Sequence, residues 1–421
     1  MAEPQSDALI VRLHGRRIGV ITRLAGDRNL FAFDQAYVDD ENRPTLSLSF
    51  KGGSGGVINP ARPYQGRLPP FFSNLLPEGH LREYLAARAG VKPGRDFFLL
   101  SALGTDLPGA ISVSASVASS GDAAVVGHDG DDHIDGDRGG RDSRTPMRFS
   151  LAGVQLKFSA IMEAGGGLTI SADGMGGSWI LKLPSARFAG VPENEFSMLE
   201  LARRIGIDVP ELKLVAMSEI EGLPRDAGAI DGRGLAVRRF DRTPEGGRVH
   251  MEDFAQVFGI YADAKYEKRS YANIAAVLSA EVGDAGVMEF VRRLVFSVLI
   301  GNADMHLKNW SLVYPDQRRA ALSPAYDYVS TVAYLPDDRL ALGFGGSKDI
   351  ATITPEQIRR FAETARLAVS PIWQLVLETA EKTLEAWKAL EAKDVLSKAI
   401  REAVEKHMGR VAAAIANSAK E

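Results

Sequence analysis

The chain has 421 residues, 45% of them hydrophobic and 25% charged, which is the composition of a globular protein with room for two or three average domains. Its 50 basic and 54 acidic residues give a net charge of −4, which argues against a protein that binds nucleic acid by itself. Contact with DNA is therefore expected only through a partner.

The sequence contains no cysteine, which excludes disulfides and thiolate metal sites. No apolar run approaches the roughly 20 residues of a membrane-spanning helix, and the first residues lack the basic and apolar segments of a signal peptide. We therefore expect a cytoplasmic protein that does not contact a membrane.

Residues 1–115 are predicted to form a small β-rich domain. Residues 8–21 have the apolar pattern of a β-hairpin, residues 46–50 alternate like a half-buried strand, and residues 81–88 show the spacing of a helix. Residues 116–146 follow as a Gly- and Asp-rich segment with too few apolar side chains to offset the entropy of ordering. This segment is predicted to be a disordered linker.

Residues 147–245 are predicted to bind a nucleotide. Residues 148–160 contain Gly153, whose backbone can approach a phosphate, and the basic Lys157, although they match neither a Walker A sequence nor a G-x-G-x-x-G loop. Residues 178–183 form an apolar and aromatic run that carries Lys182 and stops at Pro184, which is typical of a strand. Lys182 is the candidate phosphate ligand, and a strand lysine that merely reaches water is the alternative.

A helix is predicted over residues 193–205, where apolar side chains recur at helical spacing. It carries Glu195 and Glu200, either of which could form an ion pair with Lys182. Glu195 is favoured, because the first turns of the helix should face the strand that the chain has just left.

Residues 246–421 contain the segment that points to chemistry. An apolar helical run, residues 294–300, leads into residues 302–309, named here the Asp304 loop, and Asp327 follows. The spacing of Asp304, Asn309 and Asp327 matches the D-x-x-x-x-N loop and later metal-binding aspartate of protein kinases. Amide and carboxylate oxygens suit Mg²⁺, so Asn309 and Asp327 are candidate ligands, while Asp304 is placed to accept the proton of a Ser or Thr hydroxyl. From residue 354 onward, apolar residues at three- and four-residue steps predict helices.

These segments together resemble the HipA family of bacterial serine/threonine kinases. The resemblance covers nearly the whole chain and rests on the following ordered motifs: Phe71 to Gly79, Ser150-x-x-Gly153-x-Gln155-x-Lys157, Lys182-Leu183-Pro184, Asn194-Glu195-Phe196, Arg239-Phe240-Asp241-Arg242, Asp304-x-His306-x-Lys308-Asn309 and Pro324-x-Tyr326-Asp327. It implies an α+β, bilobal kinase-like fold with a β-rich N-lobe, an extra N-terminal subdomain and a mainly helical C-lobe. ATP would lie between the lobes.

The resemblance also implies roles for individual residues. Asp304 would be the catalytic base, Asn309 and Asp327 the Mg²⁺ ligands, and Lys182 a phosphate ligand paired with Glu195. His306 would brace the Asp304 loop or contact a phosphate, although a purely structural histidine is equally open. The further nucleotide-binding residues would be Ala152, Gly153, Val154, Gln155 and Lys157 of a phosphate loop, the hinge Arg238, Arg239 and Phe240, which meets adenine through backbone groups, and Lys308 and Tyr326.

The resemblance further implies that the protein is a toxin bound by a small, HipB-like helix-turn-helix antitoxin, which would also repress the operon. Some members of this family phosphorylate an aminoacyl-tRNA synthetase and so arrest growth, and members silence themselves by phosphorylating the serine that corresponds to Ser150. One departure is Arg238, since the family usually carries an acidic residue there. Two alternatives stay open: an inactive kinase-like corepressor, and a small-molecule phosphotransferase on the same scaffold.

Overall fold

The computed structural model describes residues 7–53, 55–60, 62–116, 157–162, 168–170, 177–185, 187–223, 231–336 and 338–418. The predicted linker lies outside these ranges except for Ser116, and so do Ser150 and the phosphate-loop residues Ala152, Gly153, Val154 and Gln155. Within these ranges, no helix combines the length and apolar character needed to cross a bilayer.

The N-terminal domain is an antiparallel five-stranded sheet in the order β4-β3-β2-β1-β5, packed against short helices. Its elements are β1 (Ala8–Leu13), β2 (Arg16–Leu24), β3 (Arg28–Phe33), α1 (Gln35–Val38), β4 (Tyr64–Gln65), α2 (Pro70–Ser73), α3 (Gly79–Arg88), α4 (Asp96–Leu103) and β5 (Ile111–Ala115). The predicted hairpin is confirmed, because β1 pairs with β2 across a tight turn. Alternate β1 residues are buried in the core of this domain.

The strand predicted over residues 46–50 is wrong, because Leu48–Phe50 form a 3₁₀ helix. The Ser47 hydroxyl accepts the backbone N–H of Ser49, and the backbone N–H of Leu48 donates to Glu252 at 2.9 Å. A serine that bonds its own backbone competes with strand pairing, and the distant carboxylate fixes the turn.

The N-lobe is a six-stranded sheet in the order β10-β7-β6-β8-β11-β9, with one long helix. Its elements are β6 (Lys157–Met162), β7 (Leu168–Ile170), β8 (Trp179–Lys182), α5 (Val191–Arg204), β9 (Leu212–Ala216), β10 (Ile220–Glu221) and β11 (Arg233–Arg238). The predicted strand that carries Lys182 is therefore β8, and the predicted helix after it is α5.

The C-lobe is mainly helical, as predicted. Its elements are β12 (His250–Asp253), α6 (Phe254–Val257), α7 (Tyr271–Glu281), α8 (Asp284–Leu299), β13 (Ser311–Tyr314), β14 (Ala321–Leu322), β15 (Arg339–Phe344), β16 (Ser347–Asp349), α9 (Pro355–Ala365), α10 (Val369–Lys388) and α11 (Lys398–Ser418). The second half of α8 is almost entirely buried in the largest core, so the helix fixes the start of the Asp304 loop. The molecule is thus an α+β protein with a β-rich N-lobe, a helical C-lobe and an additional N-terminal domain.

Buried polar contacts join the N-terminal domain to the rest of the molecule. Glu252 of β12 is fully buried and accepts hydrogen bonds from the Ser47 hydroxyl at 2.5 Å and from the Tyr314 hydroxyl. Asp241 accepts the backbone N–H of Gly109 at 2.7 Å. Because a buried carboxylate without partners is costly, these contacts favour one fixed placement of the two parts.

Candidate active site

Lys182 occupies the centre of the candidate site. It ends β8, is almost fully buried, and donates to Oε1 of Glu195 on α5 and to Oδ1 of Asp327. Burial opposes the charge on Lys182, but the two carboxylates outweigh burial and raise its pKa. The structure places Glu195, the favoured of the two glutamates, against this lysine, whereas Glu200 pairs with Arg203.

Asp327 is contacted by a second lysine of the N-lobe sheet. Nζ of Lys157 on β6 lies 3.3 Å from each carboxylate oxygen of Asp327. Burial alone would raise the pKa of Asp327, but Lys157 and Lys182 hold this pKa well below its usual range. The carboxylate is therefore charged at any physiological pH and attracts cations.

Hydrogen bonds fix the Asp304 loop relative to Asp327. Oδ1 of the buried Asn302 accepts the backbone N–H of Asp304 at 3.1 Å, and its Nδ2 donates to the Asp327 carbonyl at 3.2 Å. Nδ2 of Asn309 donates to the Asp304 carbonyl at 2.8 Å. Asn302 thus ties the two candidate catalytic segments together.

The Asp304 side chain is exposed at the surface of the site and accepts the Tyr266 hydroxyl at 2.8 Å. The surrounding protein removes enough water to raise the pKa of Asp304, against the opposing effects of the Tyr266 hydrogen bond and the Lys265 charge. A carboxylate with a raised pKa is a stronger proton acceptor, which suits a general base.

His306 is buried beneath Tyr266. Burial, and then the charge of Lys265, lower the pKa of His306 to about 3, so its ring is neutral at physiological pH. The ring meets the Tyr266 ring edge-on at 5.0 Å, and its backbone N–H donates to the Asp304 carbonyl at 2.8 Å. This geometry fits a residue that braces the loop rather than a charged group.

Lys308 faces the N-terminal domain. Its Nζ lies 2.8 Å from Oε1 of Glu78 and donates to the Asn74 carbonyl at 3.1 Å. Its predicted contact with a nucleotide stays a prediction.

The predicted hinge lies at the end of β11. The backbone N–H groups of Arg238 and Arg239 donate to the carbonyls of Glu211 and Ser178, both at 2.8 Å. Adenine recognition by these two residues would therefore have to use their carbonyls, because an N–H in a hydrogen bond is already engaged. The Phe240 ring lies 5.7 Å from that of Tyr326.

The side chains of Arg238 and Arg239 form ion pairs with acidic residues of the protein. The Arg239 guanidinium binds Asp241 at 2.8 Å and Asp106 at 3.4 Å in a buried cluster. Arg238 lies 3.2 Å from Glu211 at the surface. The Tyr326 hydroxyl donates to the Lys308 carbonyl at 2.9 Å and so supports the Asp304 loop.

The site fits Mg²⁺ held jointly by the protein and a nucleotide. Among the described residues, no group of three or more His, Asp or Glu side chains could hold a metal ion alone. Asp327 offers a charged carboxylate, and in the described part of the chain no donor reaches Oδ1 of Asn309, whose Nδ2 is engaged. Mg²⁺ characteristically takes one or two protein oxygens and completes its shell with waters and phosphate oxygens.

Sequence reasoning assigned no role to three residues that shape this site. Asn302 and Tyr266 contact Asp304, and Lys265 pairs with Glu78 at 2.9 Å. Asn302 lies within the Asp304 loop, so its sequence position could have identified it as a site residue. Tyr266 and Lys265 belong to no recognisable motif.

Comparisons with known proteins agree with this architecture. Residues 9–114 match the model of the HipA N-terminal domain, and residues 149–393 match that of the HipA-like C-terminal domain. The putative kinase Y4dM of Sinorhizobium fredii is 52% identical over 392 residues, which are 92% of each chain. The serine/threonine-protein kinase toxin HipA of Shewanella oneidensis is 26% identical over 344 residues, covering 74% of this chain and 75% of the toxin.

A solved structure also shares the fold. The HipA, HipB and operator DNA complex of Shewanella oneidensis MR-1 contains a chain that superposes with a TM-score of 0.72 at 21% identity, covering 98% of this chain and 99% of that one. The fold class predicted from the sequence is thus confirmed. Because both family models match in order and the second alone spans more than half of the sequence, the chain belongs to the HipA family.

Proposed function

We propose that the protein is an ATP- and Mg²⁺-dependent serine/threonine kinase with Asp304 as its base. The observation that carries the proposal is Lys182, held between Glu195 and Asp327. Kinases need this lysine–glutamate pair and a metal-binding aspartate together, and the exposed Asp304 supplies the remaining group. The kinase names of the relatives support the same reaction class.

In the proposed reaction the residues position and neutralise charge. Asp327 and Asn309 would hold Mg²⁺, which when bound would offset the negative charge of the phosphates, and Lys182 would bind a phosphate oxygen. The proton of the acceptor hydroxyl passes to Asp304, the hydroxyl oxygen bonds to the γ-phosphorus, and the bond from that phosphorus to the departing ADP oxygen breaks.

The acceptor and partner are further parts of the proposal. We infer that the protein autophosphorylates Ser150, since a phosphoserine in the phosphate loop would repel the ATP phosphates and silence the enzyme. An aminoacyl-tRNA synthetase is the candidate target that arrests growth, and a helix-turn-helix antitoxin is the candidate partner. The presence of HipB and operator DNA beside the similarly folded HipA supports this last inference.

The test is incubation of dephosphorylated protein with labelled ATP and Mg²⁺, followed by mass mapping. We expect label on Ser150 in the wild type and none in Asp304→Asn. Asp263→Asn is a matched control, because this exposed carboxylate pairs only with Arg67 among the described contacts. Persistent labelling in Asp304→Asn would remove Asp304 from the role of base.

The same experiment separates the alternatives. ATP binding without any transfer would favour an inactive corepressor. Label that appears on added sugars or aminoglycosides, with the protein unlabelled, would favour a small-molecule phosphotransferase.

A further inference from the structure

The hydroxyl group of Tyr266 is hydrogen-bonded to Asp304, the proposed base. Oη of Tyr266 donates to Oδ1 of Asp304 at 2.8 Å, which is the contact that an acceptor hydroxyl makes with a general base before giving up its proton. We propose that Tyr266 is a pseudo-acceptor, whose hydroxyl occupies Asp304 until the hydroxyl of the substrate displaces it. This inference rests on the proposed kinase function.

The backbone around Tyr266 is fastened to the Asp304 loop. The Lys265 carbonyl accepts the backbone N–H of Leu307 at 3.3 Å, and the Tyr266 carbonyl accepts from Nζ of Lys348 at 3.4 Å. Nζ of Lys265 lies 5.5 Å from the centre of the Tyr266 ring. The starting point of the side chain is therefore fixed relative to Asp304.

The Tyr266 ring is partly exposed. Tyr266 is 42% exposed, whereas Tyr271, which follows five residues later, is fully buried. On its inner side the ring has the edge contact with His306, and its outer part meets solvent. A fixed backbone with an exposed ring allows a change of side-chain rotamer without unfolding of the segment.

The chemistry of the Tyr266 phenol suits the role of pseudo-acceptor. Burial, and then the Asp304 charge, raise the pKa of Tyr266, so the hydroxyl stays protonated and remains a donor. A donor at this place keeps water, the smallest acceptor, from Oδ1 of Asp304. The pseudo-acceptor would thus limit the hydrolysis of ATP by water and favour acceptors that bind well enough to displace the ring.

The test is the rate of ADP release from MgATP without added acceptor. Tyr266→Phe keeps the ring and removes the hydroxyl, so we expect hydrolysis to rise about tenfold, the effect of losing one hydrogen bond to a charged group. The KM for ATP should stay within about twofold, since the change touches the acceptor side only. The double variant Tyr266→Phe/Asp304→Asn should lose the gain.

Tyr64→Phe is the matched control, because it removes a tyrosine hydroxyl from β4 of the N-terminal sheet, and its rate should equal that of the wild type. Unchanged or slower hydrolysis in Tyr266→Phe would overturn the pseudo-acceptor, and so would phosphate found on Tyr266 of the wild type. Labelling of Ser150 shows which idea has failed. If Ser150 is still labelled, only the pseudo-acceptor proposal is wrong. If the wild type and Tyr266→Phe both bind ATP without any transfer, the kinase proposal is wrong and the pseudo-acceptor proposal with it.

Discussion

The ammonium group of Lys308 lies 2.8 Å from the carboxylate of Glu78, so the N-terminal domain supplies the counter-charge of a lysine in the Asp304 loop. Glu78 immediately precedes α3 and also binds Lys265 at 2.9 Å. One carboxylate therefore contacts both the loop that carries Asp304 and the segment that carries Tyr266. The N-terminal domain is joined to the candidate active site through charge as well as through packing.

Glu78→Gln is expected to destabilise the protein. The amide keeps the shape of the side chain but removes the nearest counter-charge of two partly buried ammonium groups, leaving Lys308 only Asp253 at 3.9 Å. This should cost about 1–3 kcal/mol in the free energy of unfolding. Urea unfolding measures this loss. Glu281→Gln is the matched control, because its pair with Lys51 also joins the two parts, but Lys51 is more exposed than Lys265 and Lys308. Loss of this pair should cost less than about 1 kcal/mol. Equal losses would contradict the special position of Glu78.

The contribution of Glu78 should depend on pH in a defined window. Burial alone would raise the pKa of Glu78, but Lys308 and Lys265 lower it from 4.5 to about 2. Because the folded-state pKa lies below the unfolded one, the stabilisation is complete above 4.5 and disappears as the pH falls toward 2. The difference in unfolding free energy between wild type and Glu78→Gln should therefore shrink through this window, and a constant difference would refute the assignment.

Much of the fold could be predicted from the sequence because local pattern determines it. Apolar periodicity predicted the strand that carries Lys182, helix α5 and the buried end of α8. The spacing of Asp304 and Asn309 was recognisable because it matches the catalytic loop of protein kinases. The strand predicted over residues 46–50 was wrong for the opposite reason, because the backbone N–H of Leu48 donates to Glu252, which lies 204 positions later in the chain.

The same limit applies to the site. The contact of Tyr266 with Asp304 spans 38 positions and that of Lys265 with Glu78 spans 187. Neither pair has a periodic or motif signature, so only the folded chain brings them together. The pairing of Lys182 with Glu195 was accessible because the two residues lie 13 positions apart on a strand and the helix that follows it.

Asp327→Asn should remove most of the Mg²⁺ dependence of ATP binding. Asp327 has a backbone φ of 56°, a left-handed conformation that asparagine tolerates well, so the variant should fold. We expect the gain in ATP affinity on adding Mg²⁺ to fall at least about tenfold, because a charged metal ligand becomes neutral. Affinity without Mg²⁺ should not fall, since Lys157 and Lys182 lose a competing carboxylate.

Calorimetry with and without Mg²⁺ measures this change, with Asp316→Asn in an exposed turn as the control. A variant that retains the wild-type response to Mg²⁺ would count against Asp327 as a metal ligand. A fall in affinity that is independent of Mg²⁺ would point instead to damage at the phosphate lysines.

Arg238→Ala should bind ATP within about twofold of the wild-type affinity, although the family usually carries an acidic residue at this position. The Arg238 side chain lies 3.2 Å from Glu211 and both are exposed, so the substitution breaks only a surface ion pair. Adenine recognition through backbone groups would not sense it. Arg233→Ala, at the other end of β11, is the matched control. A loss of more than about tenfold in Arg238→Ala alone, measured by ATP titration, would mean that this side chain itself contacts the nucleotide.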